Sequence, residues 1–288
     1  MSKLDRFRKI SLLANGNLFC ALFNLENILL GRPGRINYEA STKMYFSKFN
    51  GDKLYFSEKK RSWVYNKGVN IRVSQLAESY FLDKINFKKD DLVVDCGANI
   101  GELYFYFSKK PGVKYVGIEP SPKEFEYLKK NAITGHLHNL GLWHENGELA
   151  FYVSSEEADS SLIKPPNFDK VIKVSTRRLD SIINTPVKLL KIEAEGAEPE
   201  VIEGCEKLLS QTQYITADLG YERGIDQQST LDPVTKYLSN QGFELLEISY
   251  KHEYPNTLAL AQQLGITVKL EELWQKGIAA LFKNKSIN

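Results

Sequence analysis

The residues best placed to do chemistry lie in LVVDCGANIGELYFYF, Leu92 to Phe107, where Asp95 ends an apolar run and Gly97 and Gly101 follow it. A second carboxylate, Glu119, closes the next apolar run, VKYVGIEP. Strand, glycine turn, helix, strand and acid is the layout of a nucleotide or nucleoside pocket at the carboxyl edge of a parallel sheet. The dinucleotide fingerprint G-x-G-x-x-G is absent, because Cys96 stands where its first glycine would fall, and this argues against a nicotinamide cofactor. Asp95 suits a cationic amino-acid ligand better than a pyrophosphate, and Glu119 could accept both hydroxyls of a ribose. S-adenosylmethionine, with an ammonium, a sulfonium and a ribose, has that chemistry.

A second acidic cluster lies in LLKIEAEGAEPEVIEGCEKLL, Leu189 to Leu209, which starts as a strand and ends as a helix. Strand alternation aims Glu193 and Glu195 the same way, and Gly196 lets the chain turn into the helix. Glu198 and Glu200 need no functional role, since acids favour helix starts. Were a methyl group passed to an alcohol, the protein would align the acceptor oxygen and remove its proton. Glu193 and Glu195 are the candidate general bases, with His138 and His252 as rivals. The segment Asp218-Leu219-Gly220-Tyr221-Glu222-Arg223 reaches the same edge and offers Asp218, Tyr221 and Arg223 to an acceptor, Arg223 through a carboxylate or phosphate. Glu193, Glu195 and Asp218 could hold a divalent ion or form a hydrogen-bonding wall, and their types alone do not choose between these.

Alternating patterns must position these groups. Strands are expected near 91–96, 113–119, 136–142, 187–193, 213–218, 243–249 and 277–283, and helices near 99–109, 122–133, 197–210 and 232–241, giving a parallel sheet covered on both faces. The polar stretch Ser154 to Asp169, with Ser160 and Ser161, is a candidate lid or substrate loop. Ahead of this domain, residues 1–75 read as a small α/β extension. Leu18, Ala21, Leu22, Leu25 and Leu29 recur at helical spacing between Asn17 and Leu30. Asn50-Gly51 signals a hairpin between Met44–Phe49 and Lys53–Phe56, Trp63 to Val73 reads as strand, and Ser74 as the N-cap of a helix through Leu82.

Taken together, VVDCGANIGE, VGIEPSPKEFEYLKKN, VSTRRLDSI and LLKIEAEGAEPEVIEG resemble the ordered motifs of FkbM-type S-adenosylmethionine-dependent methyltransferases, over roughly residues 78–283. The resemblance implies the class I methyltransferase fold, seven strands with the last antiparallel and helices on both faces, in a domain of residues 76–288. It implies O-methylation of a sugar, glycan or natural product. Carried over residue by residue, it puts Asp95, Gly97, Ala98, Asn99 and Gly101 around the methionine moiety and Glu119 on the ribose. Ser121 caps or lines the same pocket, and the stretch from His138 to Leu142, with Asn139 as a reader, borders the adenine. The family commonly has Asp where this chain has Glu193.

Composition is that of a globular protein with a net charge of +2. Residues 1–90 hold 17 Lys or Arg against 8 Asp or Glu, and the remainder 21 against 28. A basic segment docked on an acidic core explains this, as does attraction to an anionic glycan, lipid surface or nucleic acid. Three separate cysteines, Cys20, Cys96 and Cys205, give neither a disulfide framework nor a zinc site and suit a reducing cytoplasm. The basic start followed by an apolar region mimics a signal peptide, but Asn15, Gly16 and Asn17 interrupt it. The expected location is cytoplasmic, with the N-terminal helix serving packing, a homodimer or contact with the inner membrane face. An RNA methyltransferase would use the basic front region, although the acidic carboxyl edge argues against nucleic acid. A non-catalytic cofactor-binding scaffold in a glycan-assembly complex is the other alternative.

Overall fold

Aromatic volume decides how the front of the chain folds. The computed structural model describes residues 3–154, 160–250 and 278–287. Helices α1 (Lys3–Leu13) and α2 (Gly16–Leu29) form a corner, and α2 turns Phe19, Cys20 and Phe23 inward. Phe19 meets Tyr45 and Trp63 edge-on at centroid distances of 5.4 and 5.9 Å, and Phe23 meets Trp63 at 5.6 Å. The leucine stripe expected to pack is therefore on the outside: Leu18, Ala21, Leu25 and Leu29 are exposed, because the larger rings on the opposite side claim the core.

A three-stranded antiparallel sheet follows, β1 (Asn37–Glu39), β2 (Met44–Phe49) and β3 (Asp52–Phe56), with the expected hairpin turning at Asn50 and Gly51, both at positive φ. The strand expected over Trp63 to Val73 is instead a 3-10 helix, Lys59–Tyr65, leading into α3 (Val69–Ser79). Val69, Val73 and Ala77 recur at the helical interval and are buried. Gly68 occupies the N-cap at φ +94°, so Ser74 lies inside the helix and is not its cap. A domain boundary at 75/76 would cut α3.

The front region and the core share one hydrophobic cluster. Phe56, Tyr65 and Val73 pack with Ile100 and Phe105 from beyond the glycine turn. Glu102 accepts hydrogen bonds from Tyr65 Oη (2.8 Å) and Arg72 Nε (3.2 Å) and pairs with Arg61 Nη2 (3.0 Å). Burial alone would raise the Glu102 pKa, but the two guanidiniums overcome it and hold the carboxyl at about 2. Part of the basic excess of the first 90 residues is thus spent on docking to the core.

The main sheet is built from β4 (Leu92–Cys96), β5 (Lys114–Ile118), β6 (His136–His138), β10 (Val187–Ile192), β11 (Thr212–Asp218), β12 (Phe243–Tyr250) and β13 (Ile278–Asn284). Their spatial order is β12-β13-β11-β10-β4-β5-β6, all parallel except β13, which runs antiparallel to both neighbours. This is the class I methyltransferase order. The order reverses between β4 and β10, so their carboxyl ends open a crevice at the switch point. Alternation sends Val94, Cys96, Leu190 and Ile192 into one core layer and Val93 and Leu189 into the other.

Several boundaries differ from expectation. The helix expected over 99–109 is the short α4 (Tyr104–Phe107) after a series of turns, while α5 (Pro122–Asn131) and α8 (Leu231–Asn240) lie as expected. The helix at 197–210 is two pieces, α6 (Glu198–Glu203) and α7 (Glu206–Leu209). At Gly204 between them a Cβ would come 2.2 Å from the Trp143 carbonyl oxygen, so close backbone approach keeps the position a glycine. The third core strand ends at His138. Gly141–Leu142 is a separate strand, β7, in a second sheet of order β7-β9-β8, with β8 spanning Gly147–Val153 and β9 Lys170–Arg177. The candidate lid is thus the top of the β8–β9 hairpin, of which residues 155–159 lie outside the described residues, as does His252.

Candidate cofactor and acceptor cleft

The crevice is a cleft of about 1410 Å³, lined by the carboxyl ends of β4, β5, β10 and β11, by β7 and β8, and by the front region. Its floor follows from strand register. Asp95 on β4 is the direct partner of Lys191 on β10, so both side chains emerge on one face. Lys191 Nζ lies 3.0 Å from Asp95 Oδ1 and 3.0 Å from Glu193 Oε2, and it donates to the Gly97 carbonyl at 2.8 Å. Tyr115 Oη donates to Asp95 Oδ2 at 2.6 Å, and Tyr80 hydrogen-bonds Glu193. Burial pushes the Lys191 pKa down, but Asp95 and Glu193 outweigh it and keep the ammonium charged. Burial, and then the neighbouring carboxylates, raise both tyrosines well above the ordinary phenol value, so both are donors.

The glycine turn is shaped by contact with this floor. Gly97, at φ +75°, passes so close to β10 that a Cβ would sit 1.9 Å from the Glu193 carbonyl oxygen. Its N–H and that of Ala98 donate to the Ile118 carbonyl at 3.0 and 2.9 Å, tying the turn to the end of β5. Glu119 follows at once. Its Oε2 accepts from Asn99 N and its Oε1 from Ser121 N, each at 2.8 Å, which aims the carboxyl into the cleft. Burial raises the Glu119 pKa to about 7, the two backbone donors only partly opposing it.

Asp95, Gly97, Ala98, Asn99, Glu119, Ser121 and Leu142 all line the cleft, with Leu140 beside Leu142 as an apolar wall. Gly101 lies behind the turn, where a Cβ would meet Leu128. Ser121 occupies the N-cap position of α5, but its hydroxyl bonds the Glu124 carboxylate and not a backbone N–H. Asn139 and His138 are not among the lining residues. The Asn139 amide donates to the carbonyls of Glu119 (2.8 Å) and Pro120 (3.2 Å), and the His138 carbonyl accepts from Glu119 N at 3.0 Å. Both support Glu119 from behind, because the chain leaves the main sheet at His138.

Of the residues expected to serve the acceptor, Glu193, Glu195, Asp218, Tyr221 and Ser160 line the cleft. Glu195 sits at φ +50°, in a turn stapled by Glu198, whose Oε1 accepts from Ala194 N (2.9 Å) and Gly196 N (3.1 Å). Ser161 does not line the cleft. Its hydroxyl donates to the Glu195 carbonyl at 2.7 Å and so anchors the hairpin top to that turn. Arg223 is likewise withdrawn, with Nη1 on the Gly196 carbonyl (2.6 Å) and Glu200 Oε2 (2.8 Å) and Nη2 on Glu200 Oε1 (2.6 Å). The divalent-ion set has no counterpart: among the described residues no three His, Cys, Asp or Glu side chains are grouped so as to hold a metal.

Sequence reasoning passed over Lys191, Tyr115 and Tyr80. The signal was present in LLKIEAEG, where a lysine inside an apolar strand must find a counter-charge. Reasoning by strand register would have pointed to Asp95.

Comparison with known proteins bears on the family of this chain. Residues 95–245 match the profile of the family described as the methyltransferase FkbM domain. Methyltransferase 1 from Beauveria bassiana is 26% identical over 173 residues, 48% of this chain and 70% of that protein. The 2-O-methyltransferase NoeI from Sinorhizobium fredii is 24% identical over 229 residues, 70% of this chain and 93% of that protein. Among solved structures, the methyltransferase FkbM from Methylobacillus flagellatus is 17% identical with a TM-score of 0.44, over 77% of this chain and 54% of that one. A family profile that takes in more than half of the residues, from the Asp95 turn through the Glu193 cluster to β12, makes this chain a member of the FkbM methyltransferase family and an S-adenosylmethionine-dependent methyltransferase.

Proposed function

We propose that the enzyme methylates a hydroxyl of a sugar, glycan or similar small acceptor. The observation that carries this reading is the cleft itself. At about 1410 Å³ it exceeds the ~300–1,000 Å³ of a site for one drug-sized ligand, which leaves room for an acceptor beside the cofactor. Its lining holds twelve Asp or Glu against seven Lys or Arg, a field that favours a cationic cofactor and a neutral polyol and opposes a phosphate backbone. The 2-O-methyl transfer in the name of one relative is chemistry of the same kind.

S-adenosylmethionine supplies an electrophilic methyl when bound. The residues suited to hold it are the turn Gly97-Ala98-Asn99, Asp95, Glu119 for the ribose hydroxyls, and Leu140 and Leu142 against the base. Glu193 accepts the proton of the acceptor hydroxyl at its carboxylate, while Lys191 and Tyr80 fix its orientation. Tyr221 and Ser160 bound the acceptor side. Transfer of labelled methyl from S-adenosylmethionine to a panel of mono- and oligosaccharides tests the reading. Glu193→Gln is expected to lower kcat about 10²–10⁴-fold with cofactor affinity nearly unchanged. Methylation of RNA but of no sugar would sink the proposal.

Glu119 adds a pH dependence. A ribose binds the ionised carboxylate, whose pKa in the free protein is about 7, so cofactor binding releases a proton and weakens as the pH falls through that value. Calorimetry from pH 8 to 5.5 should show affinity dropping by about tenfold per pH unit below 7, and Glu119→Gln should give a weaker, flat profile. A wild-type affinity independent of pH would refute the assignment.

A further inference from the structure

The corner of α1 and α2 carries an apolar stripe that stays exposed among the described residues. Leu18, Leu25 and Leu29 lie on one side of α2, with Leu18 62% and Leu29 74% exposed, and Ile28 flanks them. Ile10 and Leu13, the latter 81% exposed, extend the surface on α1. Arg6 and Lys9 are exposed on the same side of α1, one turn from Ile10 and Leu13, and Arg35 is exposed just beyond α2. Over residues 1–35 there are six Lys or Arg and two Asp or Glu. Among the described residues no helix is long and apolar enough to cross a membrane.

We infer that this corner docks the enzyme, lying flat, on an anionic phospholipid surface. Leucines flanked by cations are the composition of an interfacial helix, in which the apolar side enters the acyl boundary and the basic groups meet lipid phosphates. Charge also selects lipid over a second copy of the chain. A two-fold interface sets a patch against itself, which here would face cations with cations, whereas an anionic surface neutralises them. The corner is fastened to the catalytic unit: Lys59 Nζ donates to the carbonyls of Leu12 and Ala14, and the 3-10 helix that begins at Lys59 contributes Arg61 and Val64 to the cleft wall. Docking therefore holds the cleft beside the surface.

The test is co-sedimentation of the full chain with vesicles of phosphatidylcholine alone and of equimolar phosphatidylcholine and phosphatidylserine, with light scattering on the free protein. The expected result is salt-sensitive pelleting with the mixed vesicles only. Leu25→Asp/Leu29→Asp should lower the partition coefficient at least about tenfold, and Lys9→Gln about fivefold, with circular dichroism and S-adenosylmethionine affinity unchanged. The inference is overturned by absence of pelleting, by equal pelleting with both vesicles, by full binding of the Asp pair, or by a dimer that the Asp pair dissolves. None of these readouts depends on the acceptor, so they stand apart from the proposal of sugar methylation.

Discussion

Lys191→Met should destabilise the protein by about 3–5 kcal/mol in denaturant unfolding at neutral pH, the range for removing one member of a buried ion pair. Methionine fills much the same volume, so the loss is electrostatic. Asp95 would be left buried, facing the Glu193 carboxylate with Tyr115 as its remaining donor. The double variant Lys191→Met/Asp95→Asn, which removes both charges, should recover most of the deficit. A single-variant cost below about 1 kcal/mol, or no recovery in the double, would show that the ammonium is not what holds the floor together.

Gly97→Ala should be comparably severe for a different reason. The added Cβ would fall 1.9 Å from the Glu193 carbonyl oxygen, a backbone atom of the residue just past β10 whose N–H donates to the Cys96 carbonyl at 3.0 Å, and φ of +75° strains any L residue. Either β4 and β10 separate at their carboxyl ends or the turn rebuilds, and both displace Asn99 N, the Glu119 donor that lies on the turn. The expected outcome is a loss of more than about 3 kcal/mol and of measurable S-adenosylmethionine binding. Gly101→Ala is the control. It also has positive φ, +84°, but its Cβ meets the Leu128 side chain, which can move, so its cost should stay near 1–2 kcal/mol. Equal effects would mean that backbone conformation, and not the approach to β10, decides the glycine at 97.

Much of the core was legible in the sequence because β4, β5, β10 and β11 are short apolar runs ended by acids or glycines, a pattern that strand burial on both faces imposes. That Asp95, Gly97 and Glu119 gather at one cleft was legible for the same reason, since they stand where such strands stop. Which residues of the 218–223 loop face the cleft was not. Whether Arg223 reaches a ligand depends on whether Glu200, on another element, takes it first, and composition is silent on that. The outward side of α2 was misjudged because a regular leucine stripe looks like a core face until Phe19 and Phe23 are weighed by volume. Residues 63–73 read as strand on aromatic and β-branched content, yet packing of Val69, Val73 and Ala77 overrode that propensity.

The bond between Glu102 and the three donors Arg61, Tyr65 and Arg72 bears on how this enzyme can be cut or recombined. The Asn131 amide adds a second seam, spanning the Tyr55 backbone and the Ile100 carbonyl. A fragment beginning at the family motifs would bare Ile100 and Phe105 and leave the Glu102 carboxylate beside them without the two guanidiniums and the phenol that hold it charged. The smallest independently folding piece is accordingly larger than the homologous segment, and a chimaera that borrows the catalytic half must bring its own partner for Glu102.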